Sequence, residues 1–180
     1  RANILATLTS KIIATMMYND MSIDEVVATI AKTLPLSSVN GVAYSTFSII
    51  QVYYTGEIYV VEYDNPECIL VRQGKVKTLP FSYRKIEGKK IRECRFQTLP
   101  GDALAIMSDG CLYCGTGDIM NYRWDWNALA GCCESSAAKT RTAAQLAEQM
   151  NRACADLYGG VCSDDTTIAV ARITEEQIVN

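Results

Sequence analysis

A short apolar run that ends in an acid sets the strongest constraint on how this chain folds. Residues 103–110 read Ala-Leu-Ala-Ile-Met-Ser-Asp-Gly, and Pro100-Gly101-Asp102 precede them. Five apolar residues introduced by turn residues are typical of a buried strand that is entered from a tight turn. The strand ends at Asp109, and Gly110 follows at once. A carboxylate on such a rigid support suits a metal ligand, but Asp-Gly is equally ordinary turn chemistry.

The segments before this run alternate between strand-like and turn-like composition, which predicts consecutive antiparallel hairpins in a meandering sheet. The first segment is almost continuously apolar, which favours a central strand buried on both faces. Residues 80–90 are polar and contain three lysines, so they are predicted to form a surface loop. The predicted strands cover residues 44–54, 57–63, 68–71, 76–79 and 91–99.

Helices are predicted on both sides of these strands. Residues 2–18 place Ile4, Leu5, Leu8, Ile12 and Met16 on one face, as in an amphipathic helix. Two capping boxes, Ser22 with Glu25 and Thr142 with Gln145, predict the starts of two further helices. A short helix near Trp124–Ala130, a polar loop over residues 135–140 and a final strand over residues 168–173 complete the prediction.

Length and composition predict one domain over residues 1–180. The chain is 49% hydrophobic and 21% charged, which is typical of a soluble globular protein with one core. The domain is predicted to contain five parts in order: a helical pair at residues 1–34, antiparallel strands at 43–110, a helical region at 111–160, a final strand at 163–173, and a polar tail or linker to another domain at 174–180.

Charge and hydropathy exclude several function classes. The net charge of -3 leaves no basic footprint for nucleic acid. No apolar run approaches the roughly 18 residues of a membrane span. The first residues lack the layout of a signal peptide, which favours a cytoplasmic protein. The first residue is Arg1 rather than Met, so we expect the chain to be a piece of a longer protein.

The residue inventory also limits the chemistry. The chain contains no His, which removes the commonest general base and the commonest transition-metal ligand. It has no Walker A loop and no Rossmann fingerprint, so no nucleotide cofactor is predicted. The eight cysteines are expected to be reduced, since several lie in apolar segments. Cys111 and Cys114 have the spacing of a redox or zinc motif, although buried thiols explain the same spacing.

Two acidic positions lie at the ends of predicted strands. Asp109 lies at the exit of one strand, and Asp164 and Asp165 lie at the entrance of the last one. If those strands are neighbours in an antiparallel sheet, exit and entrance share a rim and the carboxylates meet there. Carboxylates so close together require a cation, because like charges raise one another's pKa. Mg²⁺ or Mn²⁺ then suits the oxygen ligands, and the alternative is two solvated turns.

The order of these elements resembles the type 2C protein phosphatases, in particular the bacterial branch typified by the sporulation stage II phosphatase E. The resemblance rests on two helices, antiparallel strands, Met-Ser-Asp109-Gly110, a helix, and Asp164-Asp165-Thr166-Thr167 before an apolar strand. It implies an α+β fold in which an antiparallel β-sandwich lies between helical layers, in the order α-β-β-α. It also implies a metal-dependent enzyme that removes phosphate from phosphoserine and phosphothreonine of proteins.

The resemblance further implies roles for individual residues. Asp109, Gly110 and Asp164 would belong to the metal site, and Asp165 and Thr166 would support the strand entrance. Two Mn²⁺ or Mg²⁺ ions in the complete domain would bind a bridging water and aim it at phosphorus. The family's Asp-Gly-x-Gly motif has no match here, so we expect an N-terminally truncated domain whose remaining ligands precede Arg1.

Two other functions remain open from the sequence. One is a phosphatase-like regulatory or scaffolding module without catalysis, in which residues 1–34 relay the binding of a partner. The other is a thiol redox or zinc module built on Cys111 and Cys114.

Overall fold

Within the described part of the chain, eight strands form two antiparallel four-stranded sheets. The computed structural model describes residues 2–33, 46–114, 124–158 and 165–174. The strands are β1 (Phe47–Val52), β2 (Glu57–Tyr63), β3 (Ile69–Arg72), β4 (Lys75–Lys77), β5 (Ser82–Ile86), β6 (Lys89–Gln97), β7 (Ala103–Met107) and β8 (Ile168–Arg172). Their order is β1-β2-β6-β5 in the first sheet and β4-β3-β7-β8 in the second.

The two sheets enclose an apolar layer. Ile58, Val60 and Cys94 of the first sheet pack with Leu70 and Leu104 of the second, and each of these side chains is buried. Side chains alternate between the faces of a strand, so the neighbouring residues point outward toward the helices. The predicted β-sandwich is therefore confirmed.

Helices cover the outer face of each sheet. Helices α1 (Ala2–Tyr18) and α2 (Ile23–Thr33) lie on the first sheet, where Val27 and Ile30 pack against Val61 and Ile91. Helices α3 (Gly110–Tyr113), α4 (Trp126–Lys139) and α5 (Ala143–Leu157) lie on the second, where their buried side chains pack against Ala105. The layers follow the predicted α-β-β-α order. None of the helices described is long and apolar enough to cross a membrane.

Both predicted capping boxes are present. The Glu25 carboxylate accepts a hydrogen bond from the backbone N–H of Ser22 at 2.9 Å, and the Glu25 N–H donates to the Ser22 hydroxyl at 3.3 Å. Thr142 and Gln145 make the same reciprocal pair at the start of α5. Each box satisfies backbone N–H groups that have no partner inside the helix.

Residues 80–90 do not form the predicted surface loop. Ser82–Ile86 is an edge strand that pairs with β6, and Glu87-Gly88 make the turn between them. Both turn residues have positive φ, 49° and 78°, as in the tight hairpins whose twist matches that of the strands. The polar composition reflects the edge position, where charged residues prevent pairing with other chains.

Four further expectations were wrong in detail. The strand from Phe47 lies at an edge of its sheet rather than at the centre, and it buries mainly alternate residues against α2. Residues 135–139 continue α4, and Ser136 is buried within it. In α1 the inward face is shifted, because Ile4 and Leu8 are exposed while Thr9 is buried. The strands also divide between two sheets after β2, so the sheet is not one meander.

The strand registers bring several connections to one rim of the sandwich. Met107 pairs with Ile168, so the exit of β7 lies beside the entrance of β8. Tyr63 pairs with Phe47, and the β2–β3 connection crosses between the sheets at this same rim. The β5–β6 turn also lies there, because Glu62 pairs with Arg92 near the start of β6. We refer to this edge as the Asp109 rim.

Candidate functional site

Asp109 lies at the end of β7, where the sequence placed it. Its carboxylate accepts a hydrogen bond from the N–H of Gly110 at 3.0 Å, and its carbonyl accepts one from Leu112 at 2.8 Å. Asp109 thus begins the single turn of α3. The residue is half-buried, and it lines a cavity of about 920 Å³ that opens on the Asp109 rim.

Ser108 ties the exit of β7 to the segment before β8. Its N–H donates to the Thr167 carbonyl at 2.9 Å, and its hydroxyl donates to the Asp165 carbonyl at 3.0 Å. The Thr167 N–H donates to the same hydroxyl at 2.9 Å. Strands β7 and β8 are therefore neighbours, and the exit of β7 lies at the same rim as the entrance of β8. A carboxylate site shared between these strand ends requires this arrangement.

The other predicted site residues differ in their burial and in their hydrogen bonds. Asp165 is exposed and Thr166 half-buried, and both lie next to Ser108 in the segment that enters β8. Gly110 is buried, and its carbonyl accepts a hydrogen bond from the Tyr158 hydroxyl at 2.8 Å. Asp164 lies outside the described residues. The roles of all of them as metal ligands or supporting residues stay predictions.

The donor chemistry at this rim fits a hard divalent cation. The described carboxylates at the strand ends, Asp109 and Asp165, offer oxygen atoms, which are the ligands of Mg²⁺ and Mn²⁺. In the part of the chain that the structure describes, no three Cys, Asp or Glu side chains are arranged to hold a metal. Asp109 and Asp165 are accordingly the described residues at this rim whose carboxylates fit such an ion.

The structure gives Cys111 and Cys114 a buried position on the helix side of the second sheet. Both thiols lie close to Cys154 of α5, and all three are at most 1% exposed. A hydrogen bond from the Cys154 thiol lowers the pKa of Cys111 and of Cys114. The seven cysteines in the described ranges are free. Since those ranges contain no thiol cluster suited to a metal, the zinc interpretation gains no support.

A buried ion pair beneath the cavity was missed by the sequence reasoning. Glu62 is 1% exposed, and its carboxylate accepts hydrogen bonds from Arg92 at 2.8 and 3.0 Å and from the Cys68 N–H at 3.0 Å. Arg92 also donates to the Asn65 carbonyl at 2.8 Å. Burial raises the pKa of Glu62 to about 7, against the lowering effect of Arg92. The available signal was a lone acid inside an apolar strand.

Comparison with known proteins identifies the family. A sequence model of the family described as Stage II sporulation protein E (SpoIIE) matches residues 1–174. The chain belongs to the SpoIIE family. This confirms the resemblance drawn from the motifs around Asp109 and Asp164. No curated protein matches the chain significantly.

Solved structures share the fold of this SpoIIE-family chain at low sequence identity. The phosphatase domain of the cell fate determinant SpoIIE from Bacillus subtilis, presoaked with Mn, matches with a TM-score of 0.59 at 19% identity, over 97% of this chain and 76% of that one. The RsbU and RsbW domains of Rv1364c from Mycobacterium tuberculosis match with a TM-score of 0.72 at 16% identity, over 96% of this chain and 49% of that one. The PPM Ser-Thr phosphatase MsPP from Mycobacterium smegmatis, in complex with cacodylate, matches with a TM-score of 0.52 at 16% identity, over 83% of this chain and 72% of that one.

Proposed function

We propose that this chain is the catalytic domain of a metal-dependent serine/threonine protein phosphatase. The observation that carries the proposal is Asp109 at the end of β7, tied through Ser108 to the entrance of β8 and open to a large cavity. Membership of the SpoIIE family supports the same activity. Asp109, Gly110 and Asp164 are the proposed metal-site residues, with Asp165 and Thr166 as supports.

The residues of the Asp109 rim have two proposed roles: some bind the metal ion, and others fix the strand ends that carry its ligands. Mn²⁺ or Mg²⁺ supplies neutralising charge for the phosphoryl oxygens and lowers the pKa of water. The Asp109 carboxylate binds the ion from a rigid strand end. Ser108 fixes the two strand ends relative to each other, and its hydroxyl is engaged with Asp165 and Thr167, so it does not act as a nucleophile. Cys111 and Cys114 are too buried to attack phosphorus.

A phosphoprotein substrate is the natural occupant of the cavity. MsPP is described as a Ser-Thr phosphatase, and the B. subtilis protein is described with a phosphatase domain and a fragment of a regulatory domain. By analogy we propose that phosphoserine or phosphothreonine of a protein is the substrate of this chain. A role in signalling and an additional regulatory domain in the full-length protein belong to the same proposal.

The test is Mn²⁺-dependent hydrolysis of p-nitrophenyl phosphate by the full-length protein that contains this chain, and by its Asp109→Asn variant. We expect the variant to lose on the order of 100-fold in kcat/KM, because one metal-binding carboxylate is gone. Calorimetry should show weaker Mn²⁺ binding in parallel. Asp156→Asn, an exposed acid on α5, is the matched control and should keep full activity. Equal, measurable activity of the full-length protein and its Asp109→Asn variant would refute the site. No hydrolysis by the full-length protein, with Mn²⁺ still bound, would favour the inactive regulatory module.

A further inference from the structure

The cavity next to Asp109 is walled by three elements of different character. One wall comes from the helical side and includes Asp109, Tyr113 and Trp126. The opposite wall is the β5–β6 hairpin, from which Tyr83 and Lys90 line the space. The connection between β2 and β3 forms the floor, so a ligand in this space contacts both the rim acid and the hairpin. We call this cavity the hairpin groove.

The hairpin carries positive charge that the fold does not neutralise. Lys85 and Lys90 are directly opposite each other in the β5–β6 register, and both are exposed. Lys90 lines the hairpin groove, and Lys85 lies beside it, outside the lining. Like charges in directly opposite positions destabilise an antiparallel pair. Among the ion pairs of the described residues, none includes either lysine. The Lys90 ammonium instead lies 4.0 Å from the centre of the Tyr83 ring.

Arg92 provides the contrast on the same face of β6. Its guanidinium donates to Glu62 and to the Asn65 carbonyl, and it lies 3.5 Å from Glu67. Arg92 is therefore engaged in holding the β2–β3 connection. Within the described residues neither lysine makes an ion pair of this kind, although a neutral residue at position 85 would relieve the repulsion between the two.

We propose that the hairpin groove binds an acidic segment of a phosphoprotein, with an Asp or Glu that flanks the phosphorylated residue placed on Lys85 and Lys90. The inference rests on the proposed function, since that function puts the phosphate at Asp109. The exposed rings of Tyr83 and Tyr113, each 53% exposed, offer apolar faces to the same segment. Asp64 and Glu67 also line the cavity and oppose an acidic occupant, and the positive charges of Lys89, Lys90 and Arg92 on the same lining offset them. The Arg92 guanidinium lies 3.5 Å from the Glu67 carboxylate.

Peptide binding tests the inference without relying on catalysis. Two nine-residue phosphoserine peptides, one with Asp on both sides of the phosphoserine and one with Asn there, are compared by NMR titration of the chain with Ca²⁺ in place of Mn²⁺, because Ca²⁺ is diamagnetic and also binds carboxylate and phosphate oxygens. We expect the Asp peptide to bind more tightly and to shift amide signals of the β5–β6 hairpin. The variant Lys85→Gln/Lys90→Gln should weaken binding of the Asp peptide by about three- to tenfold and remove the preference. Raising the salt concentration should have the same effect on the parent chain.

The control variant is Lys77→Gln, which removes an exposed lysine of the second sheet that does not line the groove. It should keep the preference for the Asp peptide. Equal binding of both peptides by the parent chain, or a preference that survives the double substitution, would overturn the inference. If the preference behaves as expected while neither peptide is hydrolysed with Mn²⁺, the proposed function fails and the binding inference stands.

Discussion

Ser108 joins two strands through its side chain as well as its backbone. Its hydroxyl accepts from the Thr167 N–H and donates to the Asp165 carbonyl, so one small group closes two backbone bonds at the Asp109 rim. Replacement by alanine keeps the backbone bond to Thr167 and removes the other two. The segment before β8 is therefore held chiefly by a residue next to the proposed metal ligand.

We predict that Ser108→Ala lowers the free energy of unfolding by about 1 kcal/mol, the usual cost of lost hydrogen bonds at a partly exposed site. The amide of Thr167 should exchange with solvent faster, since its acceptor is gone. Hydrogen exchange and denaturant unfolding measure the two effects. Ser135→Ala is the matched control, because it removes an exposed hydroxyl that donates to Cys132 within α4. Unchanged exchange at Thr167 would show that the hydroxyl does not hold the segment.

Single residues differ in how far the sequence predicts them. Asp109 was predicted because its environment is local: a buried strand, then an acid and a glycine. The pairing of Glu62 with Arg92 was not predicted, because the two residues are 30 positions apart and meet only through the β2–β6 register. The same holds for Asp102, which is 1% exposed and accepts three hydrogen bonds from Arg72, at 2.6, 2.9 and 3.3 Å. Polar pairs whose members are far apart in the sequence can be predicted only once the strand order and register are known.

At the scale of elements, the β5–β6 hairpin contains a repulsive pair, because Lys85 lies directly opposite Lys90. A double-mutant cycle on Lys85 and Lys90 measures the interaction free energy between the two side chains. We predict that Lys85→Glu raises the free energy of unfolding by about 0.5 kcal/mol, because it replaces a like-charge pair with an opposite-charge pair. Lys90→Glu should gain less, because it also loses the contact of the Lys90 ammonium with the Tyr83 ring. The double variant should fall back toward the parent value, since it restores like charges.

Thermal unfolding at low salt gives the four values of the cycle, and high salt should shrink the differences. Both single variants should bind the Asp peptide less tightly than the parent chain despite their greater stability. Additive effects in the cycle, with the double variant the most stable of the four, would show that the two lysines do not interact.

Elements with strong local signals were predicted well. The capping boxes placed the starts of α2 and α5, and Glu57–Tyr63 was predicted with its observed bounds. Ser82–Ile86 was missed because an edge strand needs little apolar surface, although Glu87-Gly88 was a usable hairpin signal. Residues 135–139 were missed because small polar residues weaken the helical pattern, and packing of the buried Ser136 decides the outcome.

At the scale of the whole molecule, the resemblance to the type 2C phosphatases implied the α-β-β-α layers, whereas local composition alone predicted one meandering sheet. Two sheets covered by helices are the observed architecture. The division of the strands into two sheets after β2 depends on which edges meet, and local composition does not contain that information. The rim that unites Asp109, Asp165 and the hairpin groove follows from that division.

The stability of the whole fold should depend on pH through Glu62. Burial raises its pKa from 4.5 to about 7, while Arg92 of β6 and the N–H of Cys68 oppose the shift and Glu67 adds to it. A raised pKa means that the folded state holds a proton that the unfolded state has released between these two values. Stability is therefore expected to fall as the pH rises from about 4.5 to about 7.

The variant Glu62→Gln isolates this dependence, because glutamine does not titrate and has nearly the same shape. The unfolding free energy of the parent chain minus that of the variant should decrease by about 3 kcal/mol between pH 4.5 and pH 7.5. Taking the difference cancels the other titrating groups, and urea unfolding at several pH values provides it. A difference that stays constant with pH would mean that Glu62 remains ionised throughout, held by Arg92. In that case Glu62 is a permanent anchor of the β2–β3 connection beneath the hairpin groove, and the loss of this charge in Glu62→Gln should destabilise the fold equally at every pH between 4.5 and 7.5.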